Sequence, residues 1–452
     1  MASWQKAFGN EFSRPIGENE TFIKLIGDSG HSLGREHWAI NVAVALTLKG
    51  QLASEFPSQL RKAWGHLRFQ HPSIATYPKG GDLAYNIPSS ADLGEWIGHT
   101  FRVDDDAESA SQVIRNAKPN PSAALTFVTK SGELLGNTAH WRTDGIGFPM
   151  LLDALLKLVV KVDLGDPASL SWGEEIGRLA PSIEGAAGIP EHPNEEQKAL
   201  GQSCLATFGL VEGAVGIPFT SATTPGGTLS ARMKFSKLLT RRIVDAKKEL
   251  QISVTSAVHA SVAFANWKLA DQNRKTQHYT STVRFNMRSY LPEPFSGPKY
   301  ASGLYTSGWM EKVESTDTWE KIASHYNAIY QKGISKKYLE AHREYAKGLG
   351  DMLRNLPRDL PQASDVDISS IGIVENLMKR SHGSDSWGID VTDMSLAVNI
   401  LTPQAVFFVW TFQDQLNLNV AYNEAYHSEA QMQGFPNLVK SILLDNFQLK
   451  ES

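Results

Sequence analysis

Apolar residues alternate with polar or small ones through residues 37–48 (HWAINVAVALTL), where β-branched side chains are dense; the period of two predicts a strand. The period lengthens at 56–69, where Leu60, Trp64 and Leu67 recur at helical spacing with Pro57 early, and the run stops at His71-Pro72. A short strand over 82–87 and a short helix over 91–97, opened by Ser89-Ser90, follow. Two β-type runs, 125–129 and 133–140, flank the turn Lys130-Ser131-Gly132. From Phe148 the spacing becomes helical again. The second half repeats this mixture: strand 230–235, a helix capped by Ser236 with Leu238, Leu239, Ile243 and Val244 on one side, and a helix near 255–270 capped by Ser253 or Thr255. A strand at 278–287, one or two amphipathic helices over 318–347, three strands at 394–400, 405–412 and 416–422, and a closing helix over 435–444 complete it. Between them, 161–229 is punctuated by Gly and Pro and predicts a long irregular connection, part of it a loose surface excursion.

With 452 residues the chain exceeds one ordinary core. The pattern therefore predicts an α/β fold of two domains, each a mixed sheet flanked by helices: 1–165, a crossover 166–229, and 230–452. A hydrophobic fraction of 41%, against 20% charged, fits a well-packed soluble protein. The net charge of −4 carries no basic excess for nucleic acid or an anionic membrane. No run approaches the length of a membrane span, and residues 1–12 lack the apolar core of a signal peptide, so a cytoplasmic protein is expected. Cys204 is the one cysteine; it excludes an internal disulfide and reads as a packed small residue.

The chemistry concentrates where the strand ending at 140 hands over to the helix, in His140-Trp141-Arg142-Thr143-Asp144-Gly145-Ile146-Gly147. An Asp-Gly pair starting four residues after a histidine is expected by chance only about 0.05 times in such a chain. A neutral imidazole is suited to take a proton from a hydroxyl or amine near neutral pH. Asp144 has two uses: it holds the second ring nitrogen of His140, or it turns away and binds an arginine that fixes the loop. Gly145 favours the second, and Arg288, at the end of a strand in the other half, is the candidate partner. A solvated loop without a role, or a metal pair, is the blander alternative; Gly145, Gly147 and Pro149 spoil helical spacing and no third ligand follows, so no metal is expected. His259 reads as a satisfied core histidine. No nucleophile elbow, dinucleotide fingerprint or P-loop is signalled. A base without a protein nucleophile points to direct attack of a substrate hydroxyl or amine on a bound thioester.

His140-Trp141-Arg142-Thr143-Asp144-Gly145 matches the H-x-x-x-D-G motif, and the chain resembles the superfamily of chloramphenicol acetyltransferase, the plant BAHD acyltransferases and peptide-synthetase condensation domains. With WGEE at 172–175, RLAPSIEGAAGIP, MKFS, the 251–265 helix, RFNMRSYLP and WTFQDQLNLNVAYNEAYH, it is similar to the fungal trichothecene 15-O-acetyltransferase group over about residues 35–445. The resemblance implies two acetyltransferase-like domains with a tunnel between them, acyl-CoA as co-substrate, a small-molecule acceptor, His140 as base, and Asp144 held by Arg288 two residues after Asn286. The Asp-Phe-Gly-Trp-Gly motif of the plant enzymes is absent. Acyl-CoA-dependent O-acylation of a fungal secondary metabolite by a monomer is the expectation. A carrier-protein thioester donor, or a cyclase or isomerase that keeps the fold, are the alternatives. Lys234, Lys237 and Arg241, within a basic cluster, either meet the phosphates of coenzyme A or form a solvated face. Gln413, Gln415, Asn417 and Asn419 either line the acceptor cavity or face water.

Overall fold

A computed structural model describes residues 3–357 and 362–451. The predicted strand at 37–48 is Ile40–Gly50, and it lies inside a six-stranded sheet ordered Ser381–Gly383, Trp387–Val398, Ile40–Gly50, Glu133–Thr138, Ala124–Val128, Phe101–Asp104. The last two strands run parallel and the other neighbours antiparallel. Helices Leu52–Gln70 and Gly147–Val159 pack on it, with Phe56, Leu60, Trp64, Leu151 and Leu155 in one core with Val42 and Val44. The first of these helices starts ahead of Pro57 because Leu52 and Phe56, four apart, are both fully buried.

A four-stranded sheet, Val366–Ile373, Ala405–Phe412, Gln415–Asn423 and Thr228–Lys234, forms the centre of the second half, with helices Val254–Leu269 and Glu429–Asn446 against it. A hairpin-like pair, Tyr279–Asn286 with Thr306–Val313, stands beside it, and a small antiparallel sheet, Gln5–Lys6, Glu11–Pro15, Asp82–Asn86 and Tyr77–Lys79, lies near the N-terminus. Helices start where side-chain oxygens satisfy their first free N–H groups: Ser89, Ser236, Ser253, Thr318 and Ser335 each cap one. Ser253, not Thr255, caps the helix beginning at Val254. On helix Lys237–Glu249 the buried residues are Leu239, Thr240 and Ile243, whereas Leu238, about 100° from Leu239, is exposed.

Three expectations change. First, the division at 230 does not divide the sheets. Trp387–Val398 pairs with Ile40–Gly50 over its whole length, so residues 381–398 belong to the sheet of the first half. They cover what would otherwise be an open edge. Second, 161–229 is not irregular throughout: it contains helix Glu195–Ala206, started by Asn194, which packs so closely on helix Lys336–Arg354 that a Cβ at Gly201 would lie 2.9 Å from that of Glu344. Third, the polar face of the last strands is engaged within the fold, with Asn417 and Asn419 buried and Gln413 and Gln415 half-buried. Asn419 Nδ2 donates to the Leu396 carbonyl at 2.9 Å, Asn417 accepts from Arg232 at 2.6 Å, and Gln413 and Gln415 donate to the carbonyls of Val391 and Phe235. These amides join strands where the sheets abut.

Strand Ala405–Phe412 explains why the halves form one body. Val406, Phe408, Trp410 and Phe412 enter the core of the first sheet, while Ala405, Phe407 and Val409 enter that of the second. Its near-continuous apolar sequence is that of a strand buried on both faces.

Candidate active site

Strand Glu133–Thr138 ends in a single turn, His140–Arg142, before helix Gly147–Val159. Arg142 pins that turn. Buried over the Trp141 ring, it donates to Thr138 Oγ1 at 2.7 Å and to the carbonyls of Thr76 and Pro121. Thr143 Oγ1 donates to the Ala301 carbonyl at 2.8 Å. With its neighbours fixed, His140 places Nδ1 3.1 Å from the carbonyl of Thr143. A carbonyl only accepts, so Nδ1 carries the proton and Nε2 is left as the ring's proton acceptor. Burial pushes the His140 imidazole below its ordinary value; the Asp144 charge opposes this and that of Arg284 reinforces it.

Asp144 turns away from the imidazole. Its Oδ1 accepts from the N–H groups of Ile146 and Gly147, at 3.1 and 2.7 Å, and so caps the following helix. Arg288 Nη1 lies 2.9 Å from both carboxylate oxygens, and the Tyr305 N–H reaches Oδ2 at 2.8 Å. Arg288 also donates to the carbonyls of Ala301 and Gly303. The pair is buried, 144 residues apart in sequence, and joins the histidine turn to the segment after strand Tyr279–Asn286. Of the two glycines, Gly147 is the one the packing demands: a Cβ there would lie 2.1 Å from the Ala301 carbonyl. Gly145 has no left-handed backbone, and a Cβ would make ordinary contact with Ile371 at 3.4 Å. Its position bears on the cavity wall rather than on the turn.

The cavity at His140 lies between the halves. One wall comes from Phe22 and Ile23 on helix Glu18–Asp28, and another from Thr282, Arg284 and Asn286 on strand Tyr279–Asn286. Ser370 and Ile371 line it at a β-bulge in Val366–Ile373, where the register shifts and Gly372 has φ +74°. Trp38 lies 6.5 Å from the His140 ring, centroid to centroid, at φ +61°. A non-glycine residue there costs about 1–3 kcal/mol, and the Asn399 carbonyl, accepting its N–H at 2.7 Å, helps to hold it. The sequence pattern missed Trp38, Arg284 and helix Glu18–Asp28. For the helix the signal was present: Phe22, Ile23 and Ile26 recur at helical spacing after Glu18 and Glu20.

Lys234, Lys237 and Arg241 lie outside this lining. Lys234 is 3.2 Å from Asp393, which also holds Arg232; Lys237 is 3.8 Å from Asp414; Arg241 is exposed. The string Gly30-His31-Ser32-Leu33-Gly34 fits G-x-S-x-G, but it follows a helix rather than a strand, Ser32 is exposed, and none of it lines the cavity. His259 is a core histidine, stacked 3.5 Å from the Tyr326 ring and bonded to Ser281 and Tyr330. Cys204 packs partly buried against the second core. Among the described residues, no helix is long and apolar enough to cross a membrane.

No protein-family model matches the chain. Whole-chain similarity is informative: acetyltransferase pigO of Monascus ruber is 40% identical over 453 residues, covering 99% of both chains. The chain belongs to this acetyltransferase family. O-acetyltransferase pigM of the same organism is 28% identical over 94% of this chain and 83% of its own. The trichothecene 15-O-acetyltransferase TRI3 of Fusarium sporotrichioides superposes with a TM-score of 0.83 at 17% identity, over 98% of each chain. The family's fold here is thus the chloramphenicol-acetyltransferase-like one that the H-x-x-x-D-G resemblance implies, with the motif at the junction of its halves.

Proposed function

We propose that this protein transfers an acetyl group from acetyl-CoA to a hydroxyl of a fungal secondary metabolite, a terpenoid or polyketide, with His140 as general base. The observation that carries the reading is His140 in the wall of a cavity between the halves, with Nδ1 held at the Thr143 carbonyl, which leaves Nε2 as the ring's proton acceptor. Family membership supports the acetyl group. Nε2 takes the acceptor hydroxyl proton as its oxygen attacks the thioester carbon. The tetrahedral intermediate then collapses, the C–S bond breaks, and the proton passes from His140 to the departing thiolate. Asp144 and Arg288 take no proton; they hold the turn that aims the ring. On this reading the protein is a cytoplasmic monomer, and Lys234, Lys237 and Arg241 are exposed cations that meet the phosphates of the donor.

The donor test is direct. Supplied with a hydroxylated terpenoid or polyketide panel, the protein should release free thiol from acetyl-CoA in step with ester formation. Turnover only with an acetylated carrier protein, or product without any donor, would refute the reading. A second result concerns pH. Since burial holds the imidazole below its ordinary value of 6.5, it is the neutral, active form at pH 6.5 and above. kcat/KM should therefore persist at pH 6.5 and fall only on the acid side of it. An acid limb centred above 6.5 would contradict a buried neutral base.

A further inference from the structure

Strand Tyr279–Asn286 turns Ser281 and Val283 into the core, both fully buried, and Thr282, Arg284 and Asn286 toward the cavity. Arg284 stands in that cavity as a fixed cation. Its Nη2 donates to Asp367 Oδ2 at 2.6 Å, and its Nη1 donates to the carbonyls of Ile368 and Thr282, at 2.5 and 3.4 Å. Asp367 is itself fixed, its other oxygen accepting from the N–H groups of Thr282 and Ile368. A guanidinium has five N–H donors. Three are accounted for, which leaves the Nε–H and one Nη2–H without a partner among the described residues. The side chain keeps 26% of its surface exposed although it lies between the halves.

Arg284, though paired with Asp367, is the one Lys or Arg side chain among the described residues lining this cavity. Asp144 is saturated by Arg288 and three backbone N–H groups, and the imidazole of His140 is held neutral. The remaining surface is dominated by flat or apolar groups, among them Phe22, Trp38, Phe208 and Phe408. Such walls stack on a planar, unsaturated molecule. The unbonded N–H groups of a fixed guanidinium match an anionic oxygen better than a neutral hydroxyl. We propose that Arg284 is a specificity-determining residue, whose two unbonded N–H groups bind a negatively charged oxygen on a planar, unsaturated acceptor seated among these aromatic side chains. The assignment rests on the reading of this cavity as the acceptor chamber.

The test uses binding, so it does not depend on turnover. The purified full chain is titrated calorimetrically at pH 7 with 2-naphthoate and with 2-naphthamide, a neutral molecule of the same shape. We expect about a tenfold preference for the carboxylate. Arg284→Gln should bring the two within about threefold by weakening naphthoate alone, and unchanged naphthamide affinity certifies the cavity. Arg284→Lys retains a cation for Asp367 but loses the planar fork, and it should also lose most of the preference; it serves if the glutamine variant does not fold. No preference in the wild type, or a preference kept by the folded variants, overturns the proposal. Thiol release from acetyl-CoA is followed in the same preparations. Release without anion preference rejects Arg284 and leaves the acetyl-transfer reading standing, whereas preference without release does the reverse.

Discussion

His140→Ala is expected to lower kcat for acetyl transfer by about 10²–10⁴-fold while leaving KM for acetyl-CoA nearly unchanged. The expectation follows from position. The imidazole has one ring nitrogen engaged with Thr143, on its own turn, and the other free, so removing it deletes a proton acceptor without opening the fold. The turn itself is held by Arg142, Thr143 and Asp144. Circular dichroism and the unfolding midpoint of the variant should therefore match the parent. Turnover within tenfold of wild type would remove His140 as the base. His140→Gln gives a sharper control, since its amide fills much of the same space but does not accept a proton at neutral pH.

Arg288→Met should act on the fold as well as the reaction. It leaves the Asp144 carboxylate buried without its cation, a change that costs about 3–5 kcal/mol. Three backbone N–H groups still reach Asp144, which places the expectation at the lower end of that range. Asp144→Ala removes the opposite partner, uncaps helix Gly147–Val159 and strands the guanidinium, so it should destabilise by a similar amount. The double variant should lose less than the sum of the two, since each single change already breaks the pair. Urea unfolding of the four proteins measures this cycle. Single-variant losses below about 1 kcal/mol would mean that the pair is incidental to the joint between the halves. Activity should fall in both variants even where they remain folded, through loss of the register that aims Nε2.

How much of this was legible in the sequence depended on whether a signal was local. The motif announced itself because a strand, a histidine, a turn and a helix follow one another within about twenty residues. Caps such as Ser89 and Ser236 were legible for the same reason, as each oxygen bonds an N–H three residues on. The partner of Asp144 came from resemblance and from a strand end, and the structure brings the two side chains together. What periodicity does not encode is which strand lies beside which. Nothing local in 381–398 says that it will join Ile40–Gly50, and the alternation of Asn417 and Asn419 looks alike whether they face water or the backbone of a neighbouring sheet. Trp38 and Arg284 escaped for a related reason. A tryptophan before a strand and an arginine within one are commonplace, and only the meeting of distant elements makes them cavity walls.

The pairing of Trp387–Val398 with Ile40–Gly50 also governs when this protein can be born folded. As the chain leaves the ribosome, Ile40–Gly50 emerges well ahead of its partner, which is synthesised nearly 350 residues later. At about 5–20 residues per second the nascent sheet waits tens of seconds with one edge unoccupied. During that interval the exposed strand is a template for any other extended chain. A truncated product ending before residue 381 would carry that liability permanently, so premature termination yields a sticky remnant rather than a working half.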